Sequence, residues 1–189
     1  LGIPAALYLS RSQSGWATAI TTFLLSPLSM PMIVIGFASL FFLSWMGFGI
    51  SFLALAIVHT VICLPYVIRT VTAVYRAVPP AYEEAAVDAG ATRWQTFRHV
   101  TFPIILPNVL SGGLFAFILS FDEPVISFFL AGIRDKTLPR MMFDDIEQNL
   151  TPIIPAIAVL LTAVSIFALI AAALLRRAAA NRTAPEEAG

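Results

Sequence analysis

Long apolar runs alternate with short polar segments along this chain. Residues 17–68 contain no Asp, Glu, Lys or Arg, and their only histidine is His59. A membrane-spanning helix needs about 20 mostly apolar residues, so this run is long enough for two such helices. The complete pattern predicts four spans, at residues 20–44, 50–72, 103–120 and 151–175.

Glycine and proline interrupt these apolar runs. Gly47 and Gly49 lie beside aromatic residues, which favours a tight interfacial turn between the first two spans. Pro27 and Pro31 predict a kinked first span, because each removes a helical hydrogen bond. We expect the third span to be short and interrupted around Pro107.

Composition indicates an all-α, polytopic membrane protein. The chain is 59% hydrophobic and 12% charged, whereas a soluble domain has about 25% charged residues. The single cysteine, Cys63, predicts neither a disulfide framework nor a metal cluster, and nothing in the charge pattern indicates a nucleic-acid partner. Residues 1–9 are apolar but too short to span a bilayer. We interpret them as the tail of an earlier helix and expect an N-terminal region to be missing from this sequence.

Basic residues are distributed unevenly around the predicted spans. With alternating crossings, one side holds Arg11, Arg69, Arg76, Arg93, Arg98, Arg176, Arg177 and Arg182. The other side holds only Arg134, Lys136 and Arg140. Because Lys and Arg concentrate in short cytoplasmic loops, we expect residues 76–102 and the C-terminus to face the cytoplasm. Residues 121–150 are then expected to face outward.

The polar segment at residues 76–102 predicts two short helices joined by a sharp turn. Pro80 is suited to the first turn of a helix, and Gly90 is suited to the left-handed residue that ends it. Thr92 can cap the second helix. The carboxylates of the first helix are Glu83, Glu84 and Asp88. Such a rigid unit is suited to transmitting motion from a soluble partner.

A spaced motif occupies the same segment. Glu84, Ala85 and Ala86 are followed after three residues by Gly90, and after nine more by a Val-Thr-Phe-Pro sequence that ends at Pro103. This resembles the EAA loop of ABC-importer permeases, whose motif ends in Ile-x-Leu-Pro; both departures are conservative. The resemblance implies docking of a dimer of cytoplasmic ATPase subunits, which would bind the ATP and Mg, with no cofactor in this chain. The coupling residues it implies are Tyr82, Glu83, Glu84, Ala85, Ala86, Asp88, Gly90 and Pro103.

A second resemblance lies farther along the chain. Residues 120–130, the Thr-Leu-Pro at 137–139 and the Thr-Pro at 151–152 look like the second permease subunit of spermidine/putrescine importers. The resemblance implies a type I importer fold of six helices, of which this chain would hold the last four and a stub. It also implies a bacterial inner-membrane location, surrounding lipid, a second permease subunit and a periplasmic substrate-binding protein. Residues 1–177 would form the transmembrane permease domain, and residues 178–189 a cytoplasmic tail.

The outward segment is acidic. Its six acidic residues outnumber its three basic ones, and they are Asp122, Glu123, Asp135, Asp144, Asp145 and Glu147. A negative mouth concentrates cations, which favours a cationic cargo such as putrescine or spermidine. Two alternatives stay open: the segment could be acidic only because bases are excluded from the outer face, or it could contact the binding protein. Permeases for opines, iron, thiosulfate and other solutes share much of the resemblance, so another small solute remains an alternative.

Three residues are candidates for the substrate pathway. His59 lies within an apolar span, where ionisable groups often have a function, although a hydrogen-bonded interior histidine is the simpler interpretation. Asp122 and Glu123 follow the third span directly. They could contact an entering cation, or only mark the point at which the helix leaves the membrane.

Two other classes of protein have less support. A secondary transporter should carry polar groups within its spans, and these spans are almost free of charge. An intramembrane enzyme needs paired carboxylates, histidine clusters or a nucleophile motif at bilayer depth, and the predicted spans contain none of these. The sequence also lacks a phosphate-binding loop. We therefore expect a transport subunit that is not an enzyme.

Overall fold

A computed structural model describes residues 1–12, 14–133, 135–148 and 153–183, and within these ranges the regular structure is entirely helical. The α-helices are α1 (Gly2–Arg11), α2 (Gly15–Leu25), α3 (Met32–Trp45), α4 (Phe52–Ala77), α5 (Pro80–Asp88), α6 (Arg93–Thr96), α7 (Phe102–Phe121), α8 (Val125–Leu130), α9 (Leu138–Gln148) and α10 (Ile153–Thr183). A 3₁₀ turn, Ser26–Ser29, follows α2, and a π-helical turn, Phe97–Thr101, joins α6 to α7.

The predicted first span is broken rather than kinked. Pro27 lies in the 3₁₀ turn and Pro31 caps the start of α3. Between them the chain bends by 112°, at a place where two prolines remove two backbone donors from the helix. The expectation of one kinked helix was therefore wrong in its geometry.

The stretch between α1 and α4, which contains α2 and α3, begins and ends near opposite ends of α4. At its start, Arg76 near the C-terminus of α4 donates to the carbonyl of Ser10 at 3.3 Å. At its end, Ser51 directly precedes α4 and caps it. Since α4 has 26 residues and a helix rises 1.5 Å per residue, these two ends of α4 lie roughly 39 Å apart. The whole stretch therefore connects the two ends of α4, while α2 and α3 within it point in different directions.

Helix α4 is the centre of the bundle and packs against α1, α7 and α8. Close approach depends on small residues. A Cβ on Gly112 of α7 would lie 3.2 Å from the Cβ of Thr70 on α4. A Cβ on Gly36 of α3 would lie 2.6 Å from the Phe129 ring on α8. Helices in a membrane associate through such packing, because lipid provides no hydrophobic driving force between them.

The third predicted span is longer and more regular than the sequence indicated. Helix α7 is continuous through Pro107, and with α6 and the π-helical turn it forms one helix, Arg93–Phe121. The π-helical turn lies where Pro103 has no N–H to offer the carbonyl four residues earlier. Phe102 instead donates to the carbonyl of Phe97, five residues back.

Among the described residues, two helices are long and apolar enough to cross a membrane, Phe52–Ala77 and Arg93–Phe121, with a third if the bent pair is one span. The last predicted span contributes the shorter apolar stretch Pro155–Ala171 within α10, which packs on α7. Its predicted start at residues 151–152 lies outside the described residues. Helix α10 continues past the predicted end of the span to Thr183, so the first part of the predicted tail is helical.

Candidate functional site

The residues at both ends of α5, the first helix of the polar segment, determine where that helix begins and ends. Pro79 is extended and Pro80 opens α5, as predicted. At the other end Gly90 has φ of +87° and donates to the carbonyl of Val87 at 2.9 Å. Ala91 donates to the carbonyl of Ala86 at 3.0 Å. These two bonds form a Schellman motif, which requires a left-handed residue and therefore favours glycine.

The second helix is capped as predicted. The Thr92 hydroxyl accepts from the N–H of Gln95, while the Gln95 side chain accepts from the N–H of Thr92, which is a complete capping box. Because α6 continues into α7, the two short helices are joined directly to a membrane-spanning helix. Pro103 lies exposed in the first turn of α7.

The elbow presents a mixed apolar and acidic surface. Tyr82, Val87 and Trp94 are 56%, 51% and 66% exposed. Glu84 and Asp88 are exposed on the same segment, as is Ala85, while Ala86 is partly covered. Aromatic side chains are enriched at protein interfaces, and exposed apolar side chains beside charged ones are typical of a surface that a partner covers. We name α5, α6 and their connection the elbow.

Glu83 differs from its neighbour, since its carboxylate is turned toward the membrane helices. It accepts from Arg11 Nη1 at 2.6 Å, from the Thr101 hydroxyl at 2.6 Å and from the Tyr75 hydroxyl at 3.0 Å. Sequence reasoning grouped Glu83 with the partner-facing residues and did not single out Arg11, Tyr75 or Thr101. Only the isolation of Arg11 in the first third of the chain could have pointed to an unpaired base that needed a distant acid.

His59 lies at the other end of the bundle, on the inner side of α4. Its Nδ1 is 2.8 Å from the Ser120 hydroxyl of α7, and its Nε2 is buried without a hydrogen-bond partner among the described residues. Both residues line a cavity of about 640 Å³ between α1, α4 and the end of α7, which Thr60 and Cys63 also border. The hydrogen bond of His59 Nδ1 is explained by the packing of α4 against α7. A role in transport is still a prediction.

Asp122 and Glu123 have different environments. Asp122 is exposed, whereas Glu123 is 6% exposed and accepts from the N–H of Ile126 at 2.7 Å, at the start of α8. Burial raises the pKa of the Glu123 carboxyl, against the opposing effect of the N–H groups of Ile126 and Val125, and nearby Asp122 adds to the rise. Of the two, Asp122 is the one free to meet a solute.

The predicted outward loop is a folded unit that contains α8 and α9. Arg140 of α9 donates to the carbonyls of Ser127 and Ala131 at the end of α8. Lys136 pairs with Asp144 at 2.5 Å. A guanidinium near the last carbonyls of a helix interacts favourably with these acceptors; the Ser127 carbonyl also accepts from the N–H of Ala131. Arg134 and residues 149–152 lie outside the described residues.

Taken together, the site consists of an elbow with capped helix ends at one end of a helical bundle and an acidic folded segment at the other. The described residues hold no group of His, Cys, Asp or Glu arranged for a metal ion. The chain matches the family model described as binding-protein-dependent transport system inner membrane component over residues 1–183. It belongs to that family, and as an ABC-importer permease subunit it is a transport protein rather than an enzyme.

Particular relatives include permeases for several solutes. The chain is 34% identical over 194 residues to the putrescine transport system permease protein PotI of Escherichia coli K12, covering 96% of this chain and 68% of the relative. It is 29% identical over 172 residues to the spermidine/putrescine permease PotC of Haemophilus influenzae, covering 91% and 67%. It is 30% identical over 182 residues to the molybdenum permease ModB of Mycobacterium bovis, covering 90% and 69%.

A solved structure shares the fold. A chain of the MetNI methionine ABC transporter, in inward facing conformations, superposes with a TM-score of 0.75 at 20% identity, covering 95% of this chain and 86% of that chain. The type I importer membrane-domain architecture expected from the sequence is thereby confirmed.

Proposed function

We propose that this chain is the permease subunit of an ATP-driven importer whose cargo is a polyamine of the putrescine or spermidine type. The observation that carries the proposal is its 34% identity, across 96% of its length, with a putrescine permease. The spermidine/putrescine permeases are further support.

Charge at the outer end of the bundle supports a cationic cargo. Lys136 neutralises Asp144, and Glu123 is buried as a helix cap. The exposed carboxylates that remain in the described part of this segment are Asp122, Asp135 and Asp145. A cluster of one sign raises the local concentration of the opposite ion, although salt weakens the effect beyond about 8 Å. His59 and Ser120 would lie on the route inward from Asp122.

The elbow is the proposed docking site for a cytoplasmic ATPase dimer, which would hold the ATP and Mg. Glu84, Asp88 and Trp94 offer charge and an aromatic anchor to the partner. Ala85 and Ala86 keep the helix surface narrow, and the capped ends make the elbow stiff. The remaining proposed partners are a second permease subunit, a periplasmic substrate-binding protein and the surrounding lipid. Residues 76–102 and the C-terminus would face the cytoplasm.

Competition uptake tests the cargo. The full-length chain would be reconstituted with its partner subunits, and uptake of labelled putrescine and spermidine measured with ATP and with a non-hydrolysable analogue. We expect ATP-dependent accumulation that excess unlabelled polyamine suppresses and molybdate leaves unchanged. An Asp122→Asn variant should reduce uptake at low substrate concentration more than at saturation, because it removes one attracting charge.

The outcomes separate the cargo from the class of transporter. If neither polyamine accumulates while another solute does so with ATP, the polyamine assignment is wrong and the importer assignment stands. Accumulation driven by an ion gradient without ATP would overturn the ATPase-coupled mechanism itself.

A further inference from the structure

One carboxylate joins four separate parts of the chain at the base of the elbow. Glu83 lies on α5, and its partners Arg11, Tyr75 and Thr101 lie at the end of α1, near the end of α4 and in the π-helical turn before α7. Arg11 is separated from Glu83 by 72 positions along the chain, so this junction is a tertiary contact and no part of the local elbow geometry.

The contact is partly sheltered from water, more on the side of Glu83 and Thr101 than on the side of Arg11. The side chains of Glu83 and Arg11 are 19% and 34% exposed, and Thr101 is 3% exposed. The Arg11 guanidinium also lies 4.4 Å from the centre of the Tyr75 ring. Hydrogen bonds to a charged group are stronger than neutral ones, so this cluster is a firm polar connection between the elbow and the membrane helices.

Packing around the cluster is incomplete. A cavity of about 280 Å³ lies against Glu83, bordered by residues of these four parts, such as Leu7, Val87 and Phe97, and by residues of α6. A force applied to α5 therefore cannot pass to the spans through close apolar packing alone at this point. The bonds of the Glu83 carboxylate bridge the gap.

We propose that Glu83 is a positioning residue that makes α5 move together with α1, α4 and α7, rather than a residue that contacts the ATPase. The proposal rests on the docking of an ATPase at the elbow. Its neighbour Glu84 is the partner-facing carboxylate, and the two adjacent acids thus have separate roles.

A double-mutant cycle in the assembled transporter tests this division. The variants are Glu83→Gln, Arg11→Gln and their combination, with Glu84→Gln as the matched neighbour. The readout is the number of solute molecules imported per ATP hydrolysed. We expect Glu83→Gln and Arg11→Gln each to lower this ratio about tenfold, within the usual range for coupling between sites. The double variant should be no worse than either single one. Glu84→Gln combined with Arg11→Gln should instead give the product of the two single effects.

Thr101→Val tests the same proposal independently, because it keeps the shape of the side chain and removes one hydrogen bond to Glu83. A lowered import ratio with normal assembly supports the proposal. Independent, multiplying effects of Glu83→Gln and Arg11→Gln would overturn it, as would an unchanged import ratio in Glu83→Gln.

A distance measurement separates this proposal from the docking on which it rests. Spin labels at the exposed positions Tyr8 and Ala89, with Cys63 replaced by serine, report the position of α5 relative to α1. We expect Glu83→Gln to broaden the distance distribution even without the ATPase, and Glu84→Gln to leave it narrow. If the distribution does not change in Glu83→Gln, the proposal is wrong. If it broadens but the ATPase fails to crosslink to Ala89→Cys, the docking proposal fails and the connection through Glu83 stands.

Discussion

At the scale of single residues, environment separates acidic side chains that look equivalent in the sequence. Glu83 and Glu84 are adjacent, yet one is bonded to three membrane-helix residues and the other is exposed. Asp122 and Glu123 repeat this contrast at the opposite end of the bundle. In each pair the half-buried or buried member accepts hydrogen bonds within the fold, and we predict that the exposed member meets a partner or a solute.

Glu123 should make the stability of the outer segment depend on pH. Burial raises the pKa of its carboxyl, so the folded chain binds this proton at a pH at which the unfolded chain has released it. The free energy of unfolding therefore decreases as pH rises from the unfolded pKa through the folded pKa. Glu123→Gln keeps an acceptor for the N–H of Ile126 but cannot ionise. We expect this variant to gain stability relative to the parent between about pH 4.5 and about pH 7.5.

Thermal unfolding in detergent at the two pH values measures this change, with the exposed Asp135→Asn as the matched control. The Asp135 variant should follow the parent much more closely. A difference between Glu123→Gln and the parent that is the same at both pH values would contradict the prediction.

At the scale of elements, the sequence predicted the helix starts, ends and caps that depend on neighbouring residues in the chain. Pro80 opens α5, Gly90 ends it and Thr92 caps α6, all as expected from turn and capping preferences. The 112° break and the continuous α7 were not predicted. Both depend on how a proline-containing stretch is supported by neighbouring helices, and that support cannot be seen in one segment. The Glu83 contacts were missed for the same reason, since their partners are distant along the chain.

Gly90→Val should uncouple ATP hydrolysis from transport. Valine in the left-handed conformation is strained by roughly 1–2 kcal/mol or more, and relief of that strain would shift α6 relative to α5. We expect the import ratio per ATP to fall about tenfold while the subunit still inserts and assembles. Glu84→Lys should have the same result for a different reason, because it reverses the charge presented to the ATPase.

Gly47→Val is the matched control for Gly90→Val. Gly47 has the same φ of +87°, and a Cβ at either position meets nothing within 4 Å. The backbone strain is therefore equal, but Gly47 lies in the turn before α4, at the end opposite the elbow. Its variant should show a similar loss of thermal stability with a near-normal import ratio. Equal uncoupling by both valines would mean that strain anywhere in the bundle disrupts transport, and the elbow would lose its special role.

At the scale of the whole molecule, the sides of the helical bundle are strongly apolar. Large apolar side chains remain exposed along α2 and α3, including Phe23, Phe37, Phe41, Phe42 and Trp45. A water-soluble protein rarely exposes an apolar surface of this extent. Polar contacts are instead found mainly at the two ends of the bundle, around Glu83 and around Arg140. We expect the sides of the bundle to meet lipid and the second permease subunit.

The two polar ends should face opposite sides of the membrane. Arg11 and Glu83 meet near the C-terminal end of α4, whereas Ser51 at its N-terminal end donates to the carbonyl of Leu130 in α8. The excess of basic residues lies on the side of the elbow, which favours the cytoplasm for that end.

Single cysteines at Ser12, Arg93 and Asn181, with Cys63 replaced by serine, should therefore react with an impermeant thiol reagent only from the cytoplasmic side. A cysteine at the exposed Asp135 should react only from outside and leaves the Lys136–Asp144 pair intact. Reaction at Arg93 and Asp135 from the same side would overturn the predicted crossings, and the elbow could then not be the site at which a cytoplasmic ATPase docks.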